Sequence, residues 1–105
     1  MLETLFRHRN IPIDELSRIV APIARKNNVQ AVYLFGSRAR GDFARDSDYD
    51  FLIDVPDNYT MRNYCGFMDQ LSDALGKKVD VVTRRSLKDN GFGKTVLREA
   101  ILVYG

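Results

Sequence analysis

The chain has 105 residues, 45% of them apolar and 29% charged, the make-up of one globular domain able to bury roughly 60% of its unfolded surface. Its lone cysteine, Cys65, excludes an internal disulfide or a cysteine-based zinc site, and its lone histidine, His8, excludes a histidine-rich one. A net charge of +2 argues against a dedicated nucleic-acid binder, so nucleic acid is not expected as a direct substrate.

That small net charge conceals a division: residues 1–45 carry +4, residues 46–80 carry −5 and residues 81–105 carry +3. No apolar run approaches the roughly 18 residues of a membrane span. The N-terminus lacks a signal-peptide pattern, and a cytoplasmic location with no membrane partner is the expectation.

In chain order, Leu2, Leu5 and Phe6 fall at helical spacing, so residues 1–12 read either as a short amphipathic helix that contacts another subunit or as a loosely packed terminus. A stronger helix is predicted from Asp14 as its N-cap, with Leu16, Ile19, Val20, Ile23 and Ala24 on one face. Pro22 removes a backbone hydrogen bond there, which predicts a kink or an early end near residue 21. Asn27-Asn28 closes this helix and leads into a strand over 30–35. A Gly36-Ser37 turn, a short basic segment and a second strand, Phe51 to Val55, come next.

Pro56-Asp57-Asn58 reads as a turn, and Thr60 can cap a helix running to Leu75 that Gly76 closes. Its core face is Tyr64, Phe67, Met68, Leu71 and Leu75; Cys65 is read as a packed helix residue and Gly66 as room for close packing. A third strand over 78–83 puts Asp80 and Val82 on one face and Val79 and Val81 on the other. Residues 84–93 read as a polar loop, Lys94 to Ala100 as a short helix, and Ile101 to Tyr104 as an edge strand. Arg84, Arg85, Lys88 and Lys94 are expected to form a solvated face or to meet an acidic partner. The order predicts an α+β fold, a small mixed β-sheet covered by helices on one face, within a single domain over 1–105.

Chemistry concentrates between Leu34 and Val55. Asp48 and Asp50 stand two residues apart at the start of a strand, so both project from one face. Two carboxylates about 4 Å apart repel by roughly 4 kcal/mol at an effective dielectric of about 20, so a cation belongs between them. Magnesium suits such oxygens, because it tends to bind through one or two carboxylates plus substrate phosphates. Opposite them, Gly36 lets backbone approach a ligand and Ser37 offers a hydroxyl. The two halves together suit a metal-bound nucleoside triphosphate.

Competing motifs fail at specific positions. Asp46 to Asp50 begins like a calcium loop, but Phe51 stands at its sixth place and Asp57 at its twelfth. Gly36 to Gly41 has P-loop spacing, yet Asp42-Phe43 replaces the Lys and the Ser or Thr. Turn chemistry alone would also explain an Asp before a strand. Asp54 is read as a strand-end surface carboxylate. Arg38 and Arg40 are expected to face solvent or to brace the loop through Asp42 or Asp46, Arg40 being the better phosphate candidate. Tyr49, Tyr59 and Phe43 are the candidates for stacking on a nucleobase.

Gly36-Ser37 followed by Asp48-Tyr49-Asp50 resembles the signature of the DNA polymerase beta-like nucleotidyltransferases. Within that superfamily, Phe35 to Gly41, Ser47 to Asp50 and Leu75 to Val82 resemble the minimal nucleotidyltransferase family, whose members are commonly encoded beside a HEPN-domain partner. The resemblance covers roughly residues 30 to 83. It implies that the active site lies on the sheet face away from the covering helices. It further implies that Asp48 and Asp50 hold two magnesium ions and that Asp80 shares the hydroxyl-activating ion and helps accept its proton. Gly36 and Ser37 would hold the outer phosphates of ATP.

The activity so implied is transfer of AMP from ATP to a hydroxyl, tyrosine being the expected one, of a HEPN toxin, with this chain as the antitoxin in a homodimer or a hetero-oligomer with its partner. Two other functions compete: a binding-only antitoxin that neutralises its partner by complexation, and nucleotidyl transfer to a small molecule. The second suffers from the lack of an acceptor domain.

Overall fold

The computed structural model describes residues 11–44 and 47–105. The helix expected around Leu2, Leu5 and Phe6 lies outside them. The described elements run α1 (Ile13–Lys26), β1 (Ala31–Phe35), α2 (Ser37–Arg40), β2 (Tyr49–Asp54), α3 (Met61–Leu75), β3 (Val79–Thr83), a 3-10 turn (Arg84–Ser86), α4 (Gly91–Glu99) and β4 (Ile101–Tyr104). The strands form one mixed sheet in the order β3-β2-β1-β4, with β2 and β3 parallel and the other two pairings antiparallel. Among the described residues no helix is long and apolar enough to cross a membrane.

The period-2 pattern of the strands divides the core. Val32, Leu34, Phe51, Ile53, Val79 and Val81 point to one face, where α1 (Leu16, Val20, Ala24) and α3 (Phe67, Leu71) cover them. Each such fully buried side chain is worth about 1.5–3 kcal/mol relative to exposure, so this face dominates stability. The other face carries a smaller cluster, Phe35 and Leu52 with Val96 of α4, and this is the face to which Asp50 and Asp80 belong.

The N-cap of α1 is Pro12, two residues before the predicted Asp14, and Asp14, with Glu15, lies in the first turn, where a negative charge complements the helix dipole. Pro22 neither ends nor interrupts the helix, which continues to Lys26. Pro22 and Arg18 both face solvent, so the carbonyl that Pro22 leaves without a donor is on the hydrated side. The helix closes as expected at Asn27, with Asn28 at φ 61°.

Asn27 is itself buried; its Nδ2 donates to the Ile23 carbonyl (2.8 Å) and to Gln70 Oε1 of α3 (3.0 Å). α3 passes this point at Gly66, where a methyl group would come within 2.6 Å of Asn27 Oδ1. α3 is capped by Thr60 and ends at Gly76, as its sequence predicted, and Asn63 returns the bond to complete a capping box. Cys65 is exposed, on the face of α3 opposite Phe67 and Leu71, so its reading as a packed residue is corrected. α4 begins at Gly91 and not at Lys94: the Asn90 side chain accepts the Gly93 N–H (3.0 Å), and this cap lets a glycine-containing segment start the helix. The expected loop 84–93 also holds the 3-10 turn.

The Asn27 seat makes a prediction whose sign is diagnostic. Gly66→Ala would stabilise an ordinary helix by up to about 1 kcal/mol. Here it should destabilise by about 1–3 kcal/mol, because the amide it meets is held by two hydrogen bonds. Chemical denaturation measures this, and a stabilised variant would mean that the contact yields.

Candidate active site

Gly36 ends β1 with φ 78° and ψ −160°, a conformation that L side chains rarely adopt. A methyl group on it would overlap Asp50 Oδ2, so the turn presses directly on the carboxylate of the next strand. Its carbonyl accepts the N–H groups of Ala39 and Arg40 (3.0 Å each), which winds Ser37–Arg40 into one helical turn. Ladder register does the rest: Phe35 faces Asp50 across β1–β2, and Asp50 faces Asp80 across β2–β3.

The carboxylates therefore meet. Burial first, then the negative charges of Asp80 and Asp48, and a hydrogen bond with Asp80, hold Asp50 above the usual carboxylate range, against the pull of Arg40. Asp50 and Asp80 line a cavity of about 750 Å³ together with Gly36, Ser37, Arg40 and Glu99, a volume in the range of small-molecule sites. Asp48 reaches Asp50 electrostatically but does not line this cavity. Among the described residues no three carboxylate, histidine or cysteine side chains make a ready-made metal cage. The pair does suit magnesium in the mode in which one or two carboxylates are completed by substrate phosphates.

The two arginines divide their work. Arg38 is 2% exposed; its Nε and Nη2 donate to the Ser47 carbonyl (3.1 and 2.9 Å), and its guanidinium lies 4.3 Å from the Tyr49 ring centroid and 4.8 Å from that of Phe43. It thus braces the chain that delivers Asp48 through a carbonyl and two rings; Asp46, one of its two expected partners, lies outside the described residues. Arg40 lines the cavity and pairs with Asp42 Oδ2 (3.0 Å) and Glu99 Oε2 (2.8 Å). Asp54 is committed to Arg84. Arg85 and Lys94 pair with Asp57 and Asp89.

None of the three expected base-stacking residues is placed for that role. Tyr49 is buried and stacked on Phe51, Phe43 packs on Arg38, and Tyr59 lines a separate cavity of about 420 Å³ with Met61 and Arg85. Phe92 lines the main cavity instead, 59% exposed, edge-on to Phe35 at 6.3 Å between centroids. Glu99 was missed as well: its Oε1 accepts the Gly36 N–H (3.2 Å) while Oε2 takes Arg40. Those two donors, Arg40 foremost, hold Glu99 below the usual carboxylate range. An aromatic residue between two glycines in a polar stretch was a usable signal for Phe92. Nothing local marked Glu99.

A sheet of this topology, with two facing aspartates over a Gly-Ser turn, defines a nucleotidyltransferase core. The chain matches the family described as polymerase beta, nucleotidyltransferase over residues 18–105, and it belongs to that family. It is 39% identical over 75 residues to the protein adenylyltransferase MntA of Thermococcus cleftensis, covering 71% of this chain and 75% of that one. A crystal structure of a toxin-antitoxin with AMP-PNP is similar at 26% identity with a TM-score of 0.70, over 85% of this chain and 73% of that one. A complex of a tri-AMPylated Shewanella oneidensis HEPN toxin with MNT antitoxin shares the fold at 22% identity with a TM-score of 0.65, over 90% of this chain and 73% of that one.

Two substitutions test this geometry. Gly36→Ala should lower stability by about 1–3 kcal/mol, because it combines positive φ with overlap at Asp50. Thermal melting measures this, and unchanged melting would mean that the turn is not held as described. Burial pushes Tyr59 up to about 12, and its hydroxyl, buried, has no hydrogen-bond partner among the described residues. With an unfolded-state pKa near 10, the unfolded chain ionises first, so stability should fall as pH rises from about 10 to about 12. In Tyr59→Phe that fall should shrink, with stability at neutral pH unchanged or raised by up to about 1 kcal/mol. Denaturation midpoints across that pH range decide it, and an undiminished alkaline loss in the variant would refute the assignment.

Proposed function

We propose that this chain transfers AMP from ATP to a hydroxyl, a tyrosine side chain being the expected acceptor, on a HEPN toxin partner, and thereby acts as its antitoxin in the cytoplasm. The observation that carries the reading is the meeting of Asp50 and Asp80 across the β2–β3 register, at the wall of a cavity that also holds the Gly36-Ser37 turn. The relatives named adenylyltransferase and toxin-antitoxin support the acceptor class and the pairing.

In this reading the Gly36 amide, the Ser37 hydroxyl and Arg40 take the outer phosphates. Asp48, Asp50 and Asp80 are the residues that would hold magnesium. Two such ions, when bound, supply neutralisation of the triphosphate and a lowered pKa for the attacking hydroxyl. Asp80, on the edge strand, is the carboxylate open to the acceptor and helps take its proton. The acceptor oxygen forms a bond to the α-phosphorus as the bond from that phosphorus to the bridging oxygen breaks, and pyrophosphate leaves. Phe92 at the cavity wall offers a face for the base.

The test is mass spectrometry of the partner after incubation with this chain, ATP and magnesium. A gain of AMP on the partner is expected, lost on chelation of magnesium and reduced about a hundred-fold or more in the Asp48→Asn/Asp50→Asn double variant. An unmodified partner would overturn transfer to the toxin. Full neutralisation of the partner by the double variant would mean that complex formation suffices.

A further inference from the structure

Glu99 is an acidic residue of the main cavity to which the transfer reaction gives no part. It ends α4, its side chain is only 14% exposed, and its two oxygens are spread over two donors: the Gly36 amide at 3.2 Å and Arg40 Nη1 at 2.8 Å. That is the arrangement by which two oxygens of a phosphate group are held, one by a backbone N–H and one by a guanidinium. Both donors belong to the set that the proposed function assigns to the triphosphate. A triphosphate cannot take them while a carboxylate remains there, because the two anions would repel at contact distance.

We infer that Glu99 is a built-in occupant of the phosphate subsite, which holds Gly36 and Arg40 in place until the outer phosphate of a nucleotide displaces it, so that Glu99 sets the affinity for nucleotide. The inference rests on the nucleotide reading above and adds to it a positioning residue 63 positions from Gly36 in sequence. Displacement leaves the cradle standing. Arg40 keeps its second partner, Asp42, and the Gly36 turn is still closed by the Ala39 and Arg40 amides. Glu99 is the last residue of α4, and the chain leaves helical geometry at Ala100 (φ −59°, ψ 128°), so the side chain can withdraw by rotating about its own bonds without unwinding a helix interior.

A permanent clamp and a displaceable occupant predict opposite signs. Glu99→Gln keeps the shape of the side chain and an oxygen for the Gly36 amide while removing the charge. Calorimetric titration of the full chain with ATP and with inorganic tripolyphosphate should show the variant binding both roughly three- to ten-fold more tightly than the wild type. The KM for ATP should fall in step, and tripolyphosphate should shift the Gly36 amide resonance in both proteins. If Glu99→Gln melts too low to titrate, Glu99→Asp, which shortens the reach to both donors, should tighten binding in the same direction by a smaller factor. Unchanged or weaker binding by the variants, with the wild type binding normally, would overturn the role of Glu99 and leave the nucleotide reading intact. No binding of either ligand by any of the proteins would overturn the nucleotide reading and this one with it.

Discussion

The site depends on one rung of the sheet, in which Phe35, Asp50 and Asp80 stand side by side on β1, β2 and β3. Because Gly36 directly follows Phe35, the same rung sets the Gly-Ser turn against Asp50, so closely that no side chain fits between them. A slip of one residue in either pairing would turn Asp50 or Asp80 toward the core side occupied by Phe51 and Val81. The apolar residues on the covered face therefore fix the chemistry on the other: Phe51, Ile53, Val79 and Val81 must meet α1 and α3, and the alternation of the strands then leaves Asp50 and Asp80 with the cavity.

Around that rung, charge is divided between holding the scaffold and meeting a ligand. Arg38 is spent inside, against a carbonyl and two rings, and fixes the approach to β2. Arg40, two residues on, faces the cavity and is held there by carboxylates. Asp50 gains no comparable cationic relief and is raised by burial and by its own acidic neighbours. The imbalance favours a cation beside Asp50 and Asp80 and an anion beside Gly36 and Arg40. A magnesium–triphosphate unit brings both at once.

Where sequence and structure part company, burial or capping outweighs the signal read from residue type. Pro22 was expected to break a helix, but it lies on the wet side of one whose other face is anchored by Leu16, Val20 and Ala24. Residues 91–93 read as loop because two glycines lower helix propensity, and the Asn90 cap with the burial of Val96 outweighs that. Tyr49 looked free to stack on a base, yet strand alternation sends it to the core side, under Arg38.

The sequence by itself determined the elements and their order, the three aspartates and the Gly-Ser turn, because periodicity, capping residues and short motifs are properties of neighbours in the chain. It could also place Asp80 on the same strand face as Val82, since alternation is local. Only the tertiary structure decided that Arg38 is buried and Arg40 is not, that Phe92 lines the cavity, and that Glu99 reaches back to Gly36. Those contacts join segments far apart in sequence, and they exist only once hydrophobic burial on one face of the sheet has set the register on the other.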